Sequence, residues 1–174
     1  MNDPNPVPTE TDQSADDHLD AILLRIGRLN YAWSNTESLL VHLMAGLGGM
    51  RKEAATIVFL SIGTTRGRIE LVERMAKAFL PKNQQQRLLD LMAQFSRLSA
   101  IRNRYNHSLW SFEEDGSVST IMMRIADRRD KIHMGQRQSM GPREIERLDQ
   151  DLVKLAEVNA QIWSFLSSNN YPIR

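Results

Sequence analysis

The strongest constraint on the fold of this chain is a seam of apolar residues near its C-terminus. One apolar side chain recurs there every three or four positions over about 20 residues, which is the period of a helix. Pro142 precedes the seam, at a position that suits the first turn of a helix. The pattern predicts a long helix that must bury one face against other helices. The seam consists of Ile145, Leu148, Leu152, Leu155, Val158, Ile162 and Phe165.

Three earlier stretches repeat the same helical period, over residues 17–47, 51–79 and 83–107. A glycine-rich segment follows the first stretch, and Pro81 closes the second. Gly63-Thr64-Thr65 interrupts the second stretch, so we expect either a kink or a break into two helices there. The sequence therefore predicts several long helices that pack on one another.

The period changes after the third stretch. Residues 108–112 and 118–123 are rich in residues that favour strands, and Asp115-Gly116 lies between them, which is typical of a β-hairpin. Residues 127–140 are polar and are predicted to form a loop that could include a stray strand. The predicted fold is mainly α: a helical bundle of four to five helices with a β-hairpin inserted before the last long helix.

The N-terminal segment differs in composition from the rest of the chain. Residues 1–16 contain three of the six prolines, several acidic residues and neither Lys nor Arg, which predicts a disordered acidic leader. Residues 17–174 are predicted to form a single helical domain. This remainder carries more basic than acidic residues, mostly as Arg, and a mildly basic surface permits a nucleic-acid partner.

Several classes of function are disfavoured by what the chain lacks. It has no cysteine, and its four histidines are isolated from one another along the sequence, so we expect neither a metal centre nor another cofactor. Phosphate-binding glycine loops and serine-nucleophile motifs are also absent. No apolar run reaches the length of a membrane span, and there is no secretory signal, so we expect a cytoplasmic protein without a membrane partner.

The segment Arg102-Asn103-Arg104-Tyr105-Asn106-His107 carries the chemistry of most interest. Asn103 and His107 share one face of a helix, whereas Arg102 and His107 lie about 140° apart around it. Arg102 and His107 converge only if the helix frays, or if a second copy of the chain supplies part of the site. Arg can hold a phosphate oxygen, and His is an acid or base near neutral pH, so the set favours phosphodiester cleavage of RNA without a metal. The simpler interpretation is a polar helix end that bonds to its own backbone.

The same six residues resemble the RNxxxH signature of the HEPN superfamily of small helical proteins. The strand after the motif, the long final helix and the first helix around Trp33-Ser34-Asn35-Thr36-Glu37 also look like that family. The resemblance implies a metal-independent endoribonuclease of toxin or defence type that acts as a homodimer on RNA. Arg102 and His107 would be catalytic, with Asn103 as polar support.

Further residues are candidates for contact with a substrate. Asn106 and Arg104 belong to the motif, whereas Glu37 and Arg68 lie outside it; a surface pair and a solvated arginine are the alternative for these two. The three tryptophans could stack on bases, but their places on apolar faces or in the hairpin favour packing.

The alternative function is a catalytically inactive HEPN-like module that binds RNA or a partner protein, such as an antitoxin. A DNA-binding regulator is disfavoured because no helix carries clustered bases typical of a recognition helix.

Overall fold

The computed structural model describes residues 10–113, 117–122, 126–128, 131–133, 135 and 137–172. These residues form five helices and five short strands. The helices are α1 (Glu10–Gly48), α2 (Lys52–Ser61), α3 (Thr65–Phe79), α4 (Lys82–Asn106) and α5 (Pro142–Ser168). The strands are β1 (Ser108–Phe112), β2 (Val118–Met122), β3 (Ala126–Arg128), β4 (Lys131–His133) and β5 (Arg137–Ser139). The fold is mainly α with a β-hairpin before the last long helix, as predicted.

Helix α1 begins well inside the segment that was predicted to be a disordered leader. Its first residue is Glu10, whereas the apolar period begins only near Asp17. Carboxylates in the first turns of a helix are favoured by its dipole, and this stretch is rich in them. Helix α1 therefore includes residues 10–16 of the predicted leader, residues 1–9 lie outside the described part of the chain, and disorder of the leader stays a prediction.

The interruption in the second stretch is a complete break between α2 and α3. Ile62 has an extended backbone, and Thr64 begins α3 as its N-cap, with its hydroxyl accepting a hydrogen bond from the Gly67 amide at 3.1 Å. Threonine is a favoured N-cap because its oxygen satisfies an amide that the first helical turn leaves open. Of the two predicted outcomes, the structure shows the break.

The described residues divide into two compact units. The first, called here the helical unit, comprises residues 29–102 and 151–172. Its core is built on Trp33, whose ring stacks on Phe95 with 4.4 Å between centroids, while both side chains are buried. The interpretation of Trp33 as a packing residue is thus confirmed. Other buried members include Leu40, Leu43, Met44, Val72, Leu88, Met92, Leu155, Ile162 and Phe165.

The second unit, called here the strand unit, comprises the described parts of residues 1–28 and 103–150. Its main sheet has the strand order β1-β2-β5, and all neighbours are antiparallel. Strands β1 and β2 form the predicted hairpin, with Ser108 opposite Met122 and Phe112 opposite Val118. Within the same unit, Arg25 of α1 donates to Asp149 of α5 at 2.9 Å.

The region predicted to be a loop with a stray strand contains β4, β5 and most of β3, so its described residues form three short strands rather than one. Strand β5 pairs with β2, and β3 pairs with β4 in a separate two-stranded sheet. Each has three residues, too few for an alternating pattern to be recognised. On β5, Arg137 pairs with Glu113, which follows β1, at 2.6 Å, so charged side chains support this short edge strand.

The sequence predicted one domain over residues 17–174. In the structure, the described residues group into two compact units, and the chain passes from one to the other more than once. Within the described residues, no helix combines the length and the apolar character needed to cross a bilayer.

Candidate functional site

The last turn of α4 is fixed in the strand unit by two consecutive residues of the motif. Arg104 Nη1 donates to Glu144 Oε1 at 2.6 Å, and the Tyr105 hydroxyl donates to the same oxygen at 2.8 Å. Tyr105 is buried, and a quarter of the Arg104 side chain is exposed. Two side chains of the motif, Arg104 and Tyr105, therefore attach the end of α4 to Glu144.

Glu144 is the acceptor that makes this anchor possible. It lies in the first turn of α5, where a carboxylate also suits the helix dipole. Its second oxygen, Oε2, accepts from Gln138 Nε2 at 2.9 Å, and Arg147 lies 3.7 Å away. The side chain is 9% exposed, so several donors compensate the cost of burying its charge. The arrangement gives Arg104 a structural role that the motif did not predict, and its role in substrate binding stays a prediction.

The outer side of the same segment is formed by Asn103, Asn106 and His107, all of which are exposed. The His107 amide donates to the Asn103 carbonyl at 3.1 Å, so the helical hydrogen bonding continues one residue beyond α4. The Ser108 hydroxyl then donates to the Arg104 carbonyl at 2.5 Å. Because one helical turn separates them, Asn103 and His107 lie on the same face and are open to solvent.

Arg102 belongs to the helical unit, where it is partly buried. Helix α4 passes from the helical unit to the strand unit between Arg102 and Asn103. The convergence of Arg102 with His107 stays a prediction. What the structure brings together within one unit is Asn103, Asn106 and His107 at the exposed end of a helix.

Glu37 and Arg68 form an ion pair within the helical unit, with Arg68 Nη1 2.8 Å from Glu37 Oε1. Thr65 Oγ1 donates to the same Glu37 oxygen at 2.6 Å. Arg68 Nε also donates to the carbonyls of Phe59 and Ile62, at the C-terminal end of α2. The alternative of a surface pair with a solvated arginine is wrong, since these side chains are only 13% and 17% exposed. Their involvement in substrate binding stays a prediction.

One polar residue that the sequence analysis overlooked lies in a cavity of the helical unit. Asp151 is buried on α5 at the position between Leu148 and Leu155 in the apolar seam. A charged residue at a seam position is the signal that would have identified it, because unpaired charges are rarely buried. The predicted seam instead passed through Leu152, the residue next to Asp151, and so assigned the buried position to the wrong one of these two neighbours. No group of three His, Asp or Glu side chains among the described residues is arranged to hold a metal ion.

Comparisons of the chain with protein-family models, with curated proteins and with solved structures gave no match.

Proposed function

We propose that this chain is a HEPN-type, metal-independent endoribonuclease of toxin or defence type that acts as a homodimer in the cytoplasm. The observation that carries the proposal is the exposure of His107 and Asn103 on one face of a helix end whose neighbouring residues, Arg104 and Tyr105, are held by Glu144. A catalytic imidazole must meet a polymer from solvent and must also be held in place, and this arrangement provides both.

The proposed reaction is transesterification at a phosphodiester of RNA. An imidazole of His107 accepts the proton of the ribose 2′-hydroxyl, and the 2′-oxygen forms a bond to phosphorus. The bond from phosphorus to the 5′-oxygen breaks, and that oxygen receives a proton from a second acid. The products are a 2′,3′-cyclic phosphate and a 5′-hydroxyl. Arg102 stabilises the negative charge that develops on the phosphoryl oxygens, and Asn103 and Asn106 donate hydrogen bonds to the same groups.

Homodimerisation follows from the demands of this reaction. It needs one base and one acid, yet each chain has a single histidine in the motif. Two copies that bring their motifs together supply two imidazoles and two guanidinium groups. Such pairing also overcomes the separation of about 140° between Arg102 and His107 around an ideal helix.

The test is cleavage of single-stranded cellular RNA by the purified full-length protein with a chelator present. We expect His107→Ala to lower the rate by about 10²–10⁴-fold, the usual contribution of general acid–base catalysis. The matched control is His42→Ala, which removes a partly exposed histidine outside the motif; its Nδ1 lies 2.7 Å from the Pro172 carbonyl oxygen. A substrate with a single 2′-deoxyribose at the cleavage position should be resistant there, because it lacks the attacking hydroxyl.

Two further measurements complete the test. Light scattering should give the mass of a dimer, and Arg102→Ala should lower the rate without changing that mass. Equal rates for His107→Ala and the parent protein would refute the mechanism. RNA or protein binding without any cleavage would instead establish the inactive module, whose partner could be an antitoxin.

A further inference from the structure

The helical unit contains a cavity of about 300 Å³ between α4 and α5. Its apolar lining comes from Leu98 and Ile101 of α4 and from Val158 of α5. Its polar lining consists of Gln94, Arg97, Asp151, Lys154 and Glu157. An apolar surface with a few convergent polar groups is typical of sites for small molecules, and this volume is at the lower end of their range.

Asp151 is the unusual member of this lining. Its side chain is 7% exposed, and Lys154 Nζ lies 3.0 Å from its Oδ1 atom. Within the described part of the chain, that contact is the only hydrogen bond or ion pair of the Asp151 carboxylate. The Lys154 side chain is 58% exposed, so its own solvation is largely retained. Burying a carboxylate with one exposed partner is costly, and an apolar residue would suit the helix seam better.

We propose that this cavity binds a guanine base. The guanine edge that pairs in nucleic acids presents two adjacent donors, N1–H and the N2 amino group, followed by one acceptor, O6. A carboxylate offers two adjacent acceptors, and the ammonium group beside it is a donor. Asp151 therefore accepts from N1 and N2 while Lys154 donates to O6. The ring lies on the apolar lining formed by Leu98, Ile101 and Val158.

The other bases match this pair of side chains less completely. Adenine and cytosine each present one amino donor next to an acceptor, and uracil presents one donor between two acceptors. Each would leave one carboxylate oxygen without a donor, which is costly at a buried site. The guanidinium of Arg97, on an exposed side chain that also lines the cavity, is suited to a phosphate attached to the base. The ligand is a guanine mononucleotide or a guanine within single-stranded RNA.

The RNA form of this inference deepens the proposed function and rests on it, whereas the mononucleotide form does not. Binding is therefore measured separately from cleavage. Calorimetry with GMP, AMP, CMP and UMP examines the full-length protein without any RNA. Short RNAs with one guanine, or with inosine in its place, are then titrated into the His107→Ala variant. Inosine lacks the N2 amino group, so it isolates one of the two contacts to Asp151.

The decisive variant is Asp151→Asn. An amide offers one acceptor and one donor, so it should lose guanine and accept xanthine, which has a carbonyl in place of the N2 amino group. We expect GMP to bind the parent protein at least about tenfold more tightly than AMP does, as for a bidentate base contact. We expect the variant to reverse the order of GMP and xanthosine monophosphate. The matched control is Asp90→Asn, on the exposed surface of α4, where the carboxylate accepts from Gln86 at 2.9 Å.

The outcomes separate the two forms of the inference. Tight binding of both GMP and guanine-containing RNA supports a base site that serves the nuclease. Binding of GMP alone identifies a mononucleotide site and leaves cleavage to be judged by its own assay. Equal affinity for all four mononucleotides, or an Asp151→Asn variant that remains folded and keeps the parent's preference, would overturn the assignment.

Discussion

Removal of the Glu144 carboxylate tests how the end of α4 is held. In Glu144→Ala, the buried Tyr105 hydroxyl loses its hydrogen bond to that carboxylate, which costs about 1–3 kcal/mol. Loss of one partner from a fully buried ion pair costs about 3–5 kcal/mol. Arg104 is 25% exposed, so water recovers part of that cost. The substitution causes both the hydroxyl penalty and the reduced ion-pair penalty. We therefore expect it to lower the free energy of unfolding by about 3 kcal/mol in total, which corresponds to a fall of about 6–12 °C in Tm.

The assay is urea unfolding followed by circular dichroism and by tryptophan fluorescence, with coincidence of the two transitions as the check on a two-state treatment. The matched control is Glu146→Ala, which truncates an exposed glutamate in the same part of α5 and should change stability by less than about 0.5 kcal/mol. A double-mutant cycle adds Tyr105→Phe, which removes the hydroxyl that donates to Glu144. We therefore expect the cost of the double variant to be smaller than the sum of the two single costs. A cost below about 1 kcal/mol for Glu144→Ala, or fully additive costs in the cycle, would refute the anchor.

Two further predictions concern the contact between α1 and Tyr171. A Cβ atom at Gly46 would overlap the ring of Tyr171, so Gly46→Ala should destabilise the protein by about 1–3 kcal/mol in thermal melts. Gly27→Ala should instead stabilise it, because nothing lies within 4 Å of that position and alanine favours the helix by up to about 1 kcal/mol. Equal shifts would contradict this packing. Burial raises the pKa of Tyr171 from 10.0, so the folded state favours the neutral phenol, and its contribution to stability is present below pH 10 and is lost as the pH rises through the raised pKa. In urea titrations above pH 10, the free energy of unfolding should therefore fall less steeply with pH for Tyr171→Phe than for the parent protein. Tyr31→Phe, which changes an exposed tyrosine, is the control and should behave like the parent. Identical dependence on pH in all three proteins would argue against the raised pKa.

The long helices could be predicted from the sequence because their apolar residues repeat over many turns. Leu88, Met92, Phe95 and Leu98 recur at helical spacing in the stretch predicted over residues 83–107, and all four are buried. An interruption before α3, as a kink or a break, was also predicted, since glycine and two threonines interrupt an apolar pattern. Boundaries were harder, because residues 10–16 have no apolar period and still form the beginning of α1.

Strand β5 could not be predicted because its pairing depends on β2, which is distant in sequence, and β3 and β4 have only three residues each. Strand β5 aligns with β2 through Ser119–Ser139, Thr120–Gln138 and Ile121–Arg137. A segment of three residues, such as β5, is too short to show the alternation of apolar and polar side chains that indicates a strand.

For the candidate site, the motif identified the exposed face of the helix end but not its anchor. Glu144 lies 40 residues from Arg104, and nothing in the motif specifies that partner. Asp151 was not predicted for a different reason: only apolar residues were assigned to the buried seam of α5.

Three helices, α1, α4 and α5, are each divided between the helical unit and the strand unit, and this division affects how the chain can fold during synthesis. The strand unit needs residues up to position 150, and the helical unit needs α5 beyond that point. Domains made of consecutive residues can fold one after another as they leave the ribosome. Here α5 contributes to both cores. Neither core can be completed until the part of α5 that it contains has been translated.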